Sequence, residues 1–162
     1  IMADSYSFSA EVLGAEELQK ALSEAGDRAA QILADGLNKT AYTIQPAAVA
    51  KAPADTGQLR ASIHTEPATA DTMEAKVGTN VKHAWPMETG SKPHPVDPRV
   101  LMNWAQRKLG NKNLAYPIAK AIARKGVQGR KYMIGAFEEK KEVFGQNMRQ
   151  ALETIMNIII RG

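Results

Sequence analysis

The sequence lacks cysteine, and no apolar run in its 162 residues approaches the length of a membrane span. Without cysteine, the chain has no disulfides, thiolate zinc sites, iron–sulfur clusters or cysteine nucleophiles. A helical span needs about 20 consecutive apolar residues, so the composition predicts a soluble protein without a membrane partner. A chain of this length buries enough surface to fold without a metal, and we expect a single domain over residues 1–162.

The charge balance is mildly basic. Lys and Arg number 21 against 17 Asp and Glu, for a net charge of +4. This balance permits contact with nucleic acid but does not require it, because a dedicated binder clusters its charge on one face.

Residues with catalytic or metal-binding chemistry are few. His83 and His94 flank Glu88, a set that zinc accepts, but the spacing fits no helical His-x-x-x-His pattern. Ser62, His64 and Asp55 supply the residue types of a hydrolase triad, yet Ser62 does not sit in a nucleophile elbow. We therefore expect no catalytic residue, no metal and no cofactor.

The first half of the chain predicts strands around one long helix. Apolar residues recur every three or four positions over about residues 15–50, which predicts a helix that bends or breaks near Pro46. Alternating apolar and polar residues predict strands elsewhere. The predicted strands cover residues 6–12, 58–66, 72–79 and 82–87, with the second and third forming an antiparallel hairpin.

The second half predicts an extended loop followed by helices. Residues 89–99 are rich in proline and end in a helix-start signal, with Asp97 as the N-cap and Pro98 at the first helical position. Short helices are predicted over residues 99–109 and 117–125, each stopped by a glycine. A stripe from Phe137 to Ile159 predicts a long C-terminal helix. The predicted class is α+β, with a small antiparallel sheet packed with two long helices and short middle helices.

Two segments have open alternatives. Residues 124–131 place Gly-x-x-Gly among Arg124, Lys125, Arg130 and Lys131, faintly like the backbone-clamping loop of a KH domain. In that reading the chain is a small nucleic-acid-binding module and the four cations face DNA. The alternative is a glycine-terminated helix whose cations favour the negative end of the helix dipole.

The apolar end, residues 155–160, is either buried in the monomer or covered by a partner. Likewise, loop 89–99 is either a crossover or a segment that reaches a neighbouring subunit. Candidate partner or subunit contacts are Lys92, His94, Arg99, Ile155 and Ile159.

Residues 52–63, Ala-Pro-Ala-Asp-Thr-Gly-Gln-Leu-Arg-Ala-Ser-Ile, resemble the A-P-x-D-T-G-x-L-R-x-S-I signature of tailed-phage neck or tail-completion proteins. These are the gene-product-ten-like tail components, to which the minor tail protein Z of lambda-type phages is related. The resemblance continues through residues 77–80, Ala84 and residues 88–90, then through residues 118–126 and 130–133, although His83 replaces a common aromatic residue. The signature positions are Pro53, Asp55, Thr56, Gly57, Leu59, Arg60, Ser62, Gly78, Thr79, Glu88 and Gly90.

The chemistry of the signature is that of a turn. Gly57 supplies a positive φ, and Asp55 and Thr56 are able to bond to nearby backbone groups. We expect Arg60 and Ser62 on the face opposite Leu59, Ala61 and Ile63, with Arg60 pairing with Asp55, Glu88 or a neighbouring subunit. The signature therefore specifies either the fold or a partner contact.

The resemblance implies a structural virion protein of the head–tail junction, without catalysis, that joins DNA-filled heads to tails. It further implies a homo-oligomeric ring, expected to be a hexamer, in contact with head-completion or adaptor proteins and tail-terminator proteins. Genomic DNA would pass through without sequence specificity. The protein would occupy the neck of the virion, and the host cytoplasm during assembly.

Overall fold

The computed structural model describes residues 7–9 and 26–161. Strand β1, Ser7–Ser9, lies within the strand predicted for residues 6–12. Residues 15–25, the first part of the predicted long helix, lie outside the described residues.

Helix α1 spans Asp27–Lys51 and is continuous through Pro46, so of the predicted bend or break the break does not occur. Proline removes one backbone hydrogen bond from a helix interior. Pro46 is exposed, while Ile44 and Ala48 on either side of it are buried. Packing of this apolar face keeps the helix continuous.

The C-terminal helix, Tyr132–Arg161, packs antiparallel along α1, and the two helices together supply most of the buried core residues. At the tightest point, a Cβ on Gly36 would meet Met148 Cε at 2.6 Å. Beside it, the buried amide of Asn147 donates to Thr40 Oγ1 over 3.0 Å. These contacts fix how the two long helices cross.

A three-stranded antiparallel sheet covers one side of this pair, in the order β1-β3-β2. Strand β2 is His64–Glu66 and strand β3 is Lys76–Gly78. Val77 at the centre of β3 is buried. The predicted strand over residues 72–79 is confirmed only for its last part.

Two predicted strands are largely or wholly helical. Residues Gln58–Ser62 form helix α2, so the strand predicted for 58–66 exists only at its end. Leu59 and Ile63 are buried four positions apart, whereas Ala61, expected on the same side, is exposed. Residues Ala84–Thr89 form helix α3 where the strand over 82–87 was predicted. An i, i+4 pair of buried residues is equally well served by a helical turn.

A second sheet pairs β4, Gly90–Ser91, with β5, Val127–Gln128, in antiparallel register. Between these strands lie α4, Pro98–Leu109, a 3-10 turn, Lys112–Leu114, and α5, Ala115–Lys125. We call residues 98–125 the arm; the C-terminal helix is then α6.

The signals that start and stop the arm helices are confirmed. Asp97 caps α4 by accepting from the backbone N–H of Arg99 over 2.9 Å, and Pro98 is at the start. Gly110 and Gly126 end the two helices. Helix α5 begins two residues before the predicted start. The α+β class is confirmed, and the single domain over residues 1–162 stays a prediction. No helix in the described ranges is long and apolar enough to cross a membrane.

Candidate assembly site

The signature turn closes the C-terminal end of α1. The guanidinium of Arg60 donates to the carbonyls of Ala52 over 2.8 Å and Ala50 over 3.4 Å. Cations are favourable there because the last carbonyls of a helix are unpaired and the dipole is negative. Gly57, with φ 84°, lets the chain turn directly into α2. Arg60 thus contacts backbone carbonyls rather than the predicted Asp55 or Glu88.

Asp55 links the turn to the arm instead of bonding to nearby backbone. Its carboxylate receives two bonds from Arg107, at 3.2 Å and 2.6 Å. The next residue, Lys108, donates to the carbonyl of Ala54. The hydrogen bond from Arg107 lowers the pKa of Asp55 below its usual value. Sequence reasoning missed Arg107, because 52 positions separate it from Asp55.

Ser62 connects the signature turn to residues 77–80, the next segment that resembles the family. Its hydroxyl lies 2.6 Å from Thr79 Oγ1 and also donates to the Leu59 carbonyl. His64 contacts the backbone carbonyl of Ser62 through Nδ1, not the hydroxyl. With Asp55 bound to Arg107, the candidate hydrolase triad is not assembled.

Glu88 caps the N-terminus of α6. It is only 2% exposed, and its two carboxylate oxygens accept from the backbone N–H groups of Met133 at 2.9 Å and Ile134 at 3.0 Å. A carboxylate is favourable there because a helix N-terminus carries unpaired N–H groups and positive dipole charge. Burial, then the negative charge of Glu88, raises the pKa of Tyr132 to about 12.

The same contacts argue against a zinc site formed by His83, Glu88 and His94. Glu88 points into the start of α6, while His94 Nδ1 lies 2.8 Å from the carbonyl of Lys92. No cluster of three potential ligand residues occurs within residues 7–9 and 26–161.

The glycines of the basic loop serve chain pairing. A Cβ on Gly126 would collide with the carbonyl oxygen of Ser91, and one on Gly129 with the carbonyl oxygen of Glu88. Gly90, with φ 86°, faces the Val127 carbonyl just as closely. The Gly-x-x-Gly segment is therefore one edge of the β4–β5 ribbon. Its backbone is already covered, which argues against a phosphate-clamping loop.

The candidate contact residues divide into three groups. Lys92, His94 and Arg99 are exposed, although Arg99 pairs with Asp97 over 3.1 Å. Ile155 is buried against α1, so its side chain is covered within the monomer and not by a neighbouring subunit. The side chain of Ile159 lies outside the described residues.

Exposed apolar side chains include a row near the end of α6 and a pair on the arm. On α6, Leu152, Met156 and Ile160 follow each other at four-residue spacing and are 41%, 59% and 76% exposed. On the arm, Val100 is 71% and Tyr116 56% exposed. The stripe predicted from the sequence placed Leu152 on the same face as Ile155. The four-residue spacing of Leu152, Met156 and Ile160 was the signal that could have identified them as a separate, exposed row.

An apolar groove of about 280 Å³ runs between α1, β3 and α6, with Leu37, Ile44, Val77, Phe137 and Phe144 in its lining. Lys140, Lys141 and Glu138 also line it.

Internal hydrogen bonds thus hold the arm on a frame of two long helices. Residues 16–90 match a family model described as "Bacteriophage HK97-gp10, putative tail-component". This match supports, over that segment, the resemblance to gene-product-ten-like phage tail components seen in the sequence. The relation to minor tail protein Z stays a prediction. A search of curated proteins and a search of solved structures each found no match.

Proposed function

We propose that the protein is a structural component of the head–tail junction, where it completes the neck and joins DNA-filled heads to tails. The family is one of structural tail components of the virion. The proposal narrows that role to one position in the particle, and it involves no catalysis.

One observation carries the proposal: the polar signature residues are engaged in internal support. Arg60 closes α1, Ser62 bridges to Thr79, and Glu88 caps α6. A hydrolase would keep such groups available to a substrate. Here they hold the long helices in place, and Asp55 of the same signature holds the arm, as an assembly component requires.

We further propose that copies form a closed ring, expected to contain six. A ring needs two different surfaces that meet head to tail. The exposed row on α6 and the exposed loop carrying Lys92 and His94 lie on different elements and are candidates for those surfaces. The remaining faces would contact the head-completion or adaptor protein and the tail-terminator protein.

The test is electron microscopy of particles from a lysate in which only this gene is disrupted. We expect full heads beside separate tails of normal length. Complementation with Met156→Glu should fail, since a charge would enter an apolar interface, while the exposed polar change Glu153→Gln should restore joined particles. Joined, infectious virions from the disrupted gene would overturn the proposal.

A further inference from the structure

The arm, residues 98–125, carries charge of one sign only. It contains seven Lys and Arg and no Asp or Glu. The rest of the chain holds 14 of the 21 cations and all 17 acidic residues, so it is net negative. The mild overall balance therefore conceals a strongly cationic protrusion.

Three of the seven cations have partners. Arg99 pairs with Asp97, Arg107 with Asp55, and Lys108 donates to a carbonyl of the signature turn. The side chains of the other four form no ion pair or hydrogen bond with the described residues, and all four are exposed. They are Lys112, Lys120, Arg124 and Lys125.

The packing of the arm directs two of these cations, Lys120 and Arg124, outward. Helix α5 buries Ala115 and Ala119 against α4 and the 3-10 turn. Lys120 and Arg124, one turn apart, lie on the side of α5 away from those alanines. The ribbon and the Asp55–Arg107 pair hold the arm to the body without covering this side.

We propose that the outward side of the arm docks the phosphate backbone of double-stranded DNA without reading its sequence. Three of the four free cations are lysines, which are depleted at protein–protein interfaces but suit phosphate contacts. The surface deepens the proposed function, because it names what contacts the passing genome, but its binding is measurable on purified protein.

The experiment measures fluorescence anisotropy of a labelled random-sequence DNA duplex of about 30 base pairs titrated with the full chain at several salt concentrations. The arm variant is Lys112→Gln, Lys120→Gln, Arg124→Gln and Lys125→Gln combined. The matched control neutralises four exposed cations of the body, Arg28, Lys82, Lys141 and Arg149. Both variants bring the net charge from +4 to zero, so only the position of the charge differs.

We expect the arm variant to lose at least tenfold in affinity at low salt, and the control much less. The slope of log K against log salt should flatten by about 0.9 for each phosphate contact removed. Equal losses in both variants would reduce the effect to bulk charge and overturn the proposal. Failure of the wild-type protein to bind the duplex would also overturn the proposal. This includes the outcome in which the arm binds an acidic protein instead of DNA. Circular dichroism melting checks that both variants are folded.

Discussion

Replacing Glu88 with glutamine tests whether this carboxylate holds the start of the longest helix. The wild-type side chain gives one oxygen to the N–H of Met133 and the other to the N–H of Ile134. Glutamine has nearly the same shape but only one acceptor oxygen. Its amide group would therefore face one of the two N–H groups, and that donor would lose its acceptor.

The magnitude follows from two losses. A buried N–H without an acceptor costs about 1–3 kcal/mol. Loss of negative charge at a helix N-terminus adds about 0.3–2 kcal/mol. Relief from burying a charged group acts in the opposite direction. Because both oxygens of Glu88 are satisfied, we expect the losses to win and the free energy of unfolding to fall by about 2–4 kcal/mol.

Urea unfolding followed by circular dichroism measures this change, and the melting temperature should drop by roughly 5–15 °C for a protein of this size. Glu88→Ala should cost more, since both N–H groups lose their acceptor. The control is Glu142→Gln, which changes an exposed carboxylate on α6. Its free energy of unfolding should stay within about 0.5 kcal/mol of the wild-type value. A loss below 0.5 kcal/mol for Glu88→Gln would refute the capping argument.

Three further predictions concern the same frame. Because the pKa of Tyr132 is about 12 against an ordinary 10.0, unfolded chains ionise first and stability should fall as pH rises between these values. Tyr132→Phe should remove that loss, as alkaline urea unfolding would show. Gly126→Ala should destabilise the ribbon by about 1–3 kcal/mol in thermal unfolding, whereas Gly145→Ala, in open space on α6, should stabilise by up to about 1 kcal/mol. Asp55→Asn should speed proteolysis within the arm while barely changing global unfolding, because Asp55 forms a surface pair with Arg107.

Each of these has a contrary outcome. If the free energy of unfolding of Tyr132→Phe falls with alkaline pH as much as that of the wild type, Tyr132 is not the cause of the pH dependence. Equal effects of the two alanine variants would mean that the close approach at Gly126 carries no weight. Unaltered cleavage of the arm would mean that the ribbon alone holds it.

The local signals in the sequence predicted much of the fold. Asp97, Pro98 and Gly110 mark the ends of α4 because capping depends on residues adjacent in the chain. The long helices were visible for a similar reason, since their apolar residues recur with helical spacing over many turns.

Short segments were ambiguous. Residues 58–62 alternate like a strand, yet Leu59 and Ile63 also fit one helical turn, and their packing against α1 decides for the helix. In the candidate site, the links from Asp55 to Arg107 and from Glu88 to the start of α6 join distant positions. Local pattern carries no information on such pairs, so only the folded chain reveals them.

Topology also explains why the net charge of the whole chain does not reveal the concentration of positive charge on the arm. A run of cations spread along an extended chain would leave its charge dispersed and screened over a Debye length of about 8 Å. Here Gly90 pairs with Gln128, so residues 98–125 leave the body and return to it at one place. Six of the seven cations are thereby collected on two short helices and the seventh, Lys112, on the 3-10 turn between them, so their fields add. The ribbon that argues against a clamp loop therefore also makes the arm a concentrated electrostatic surface.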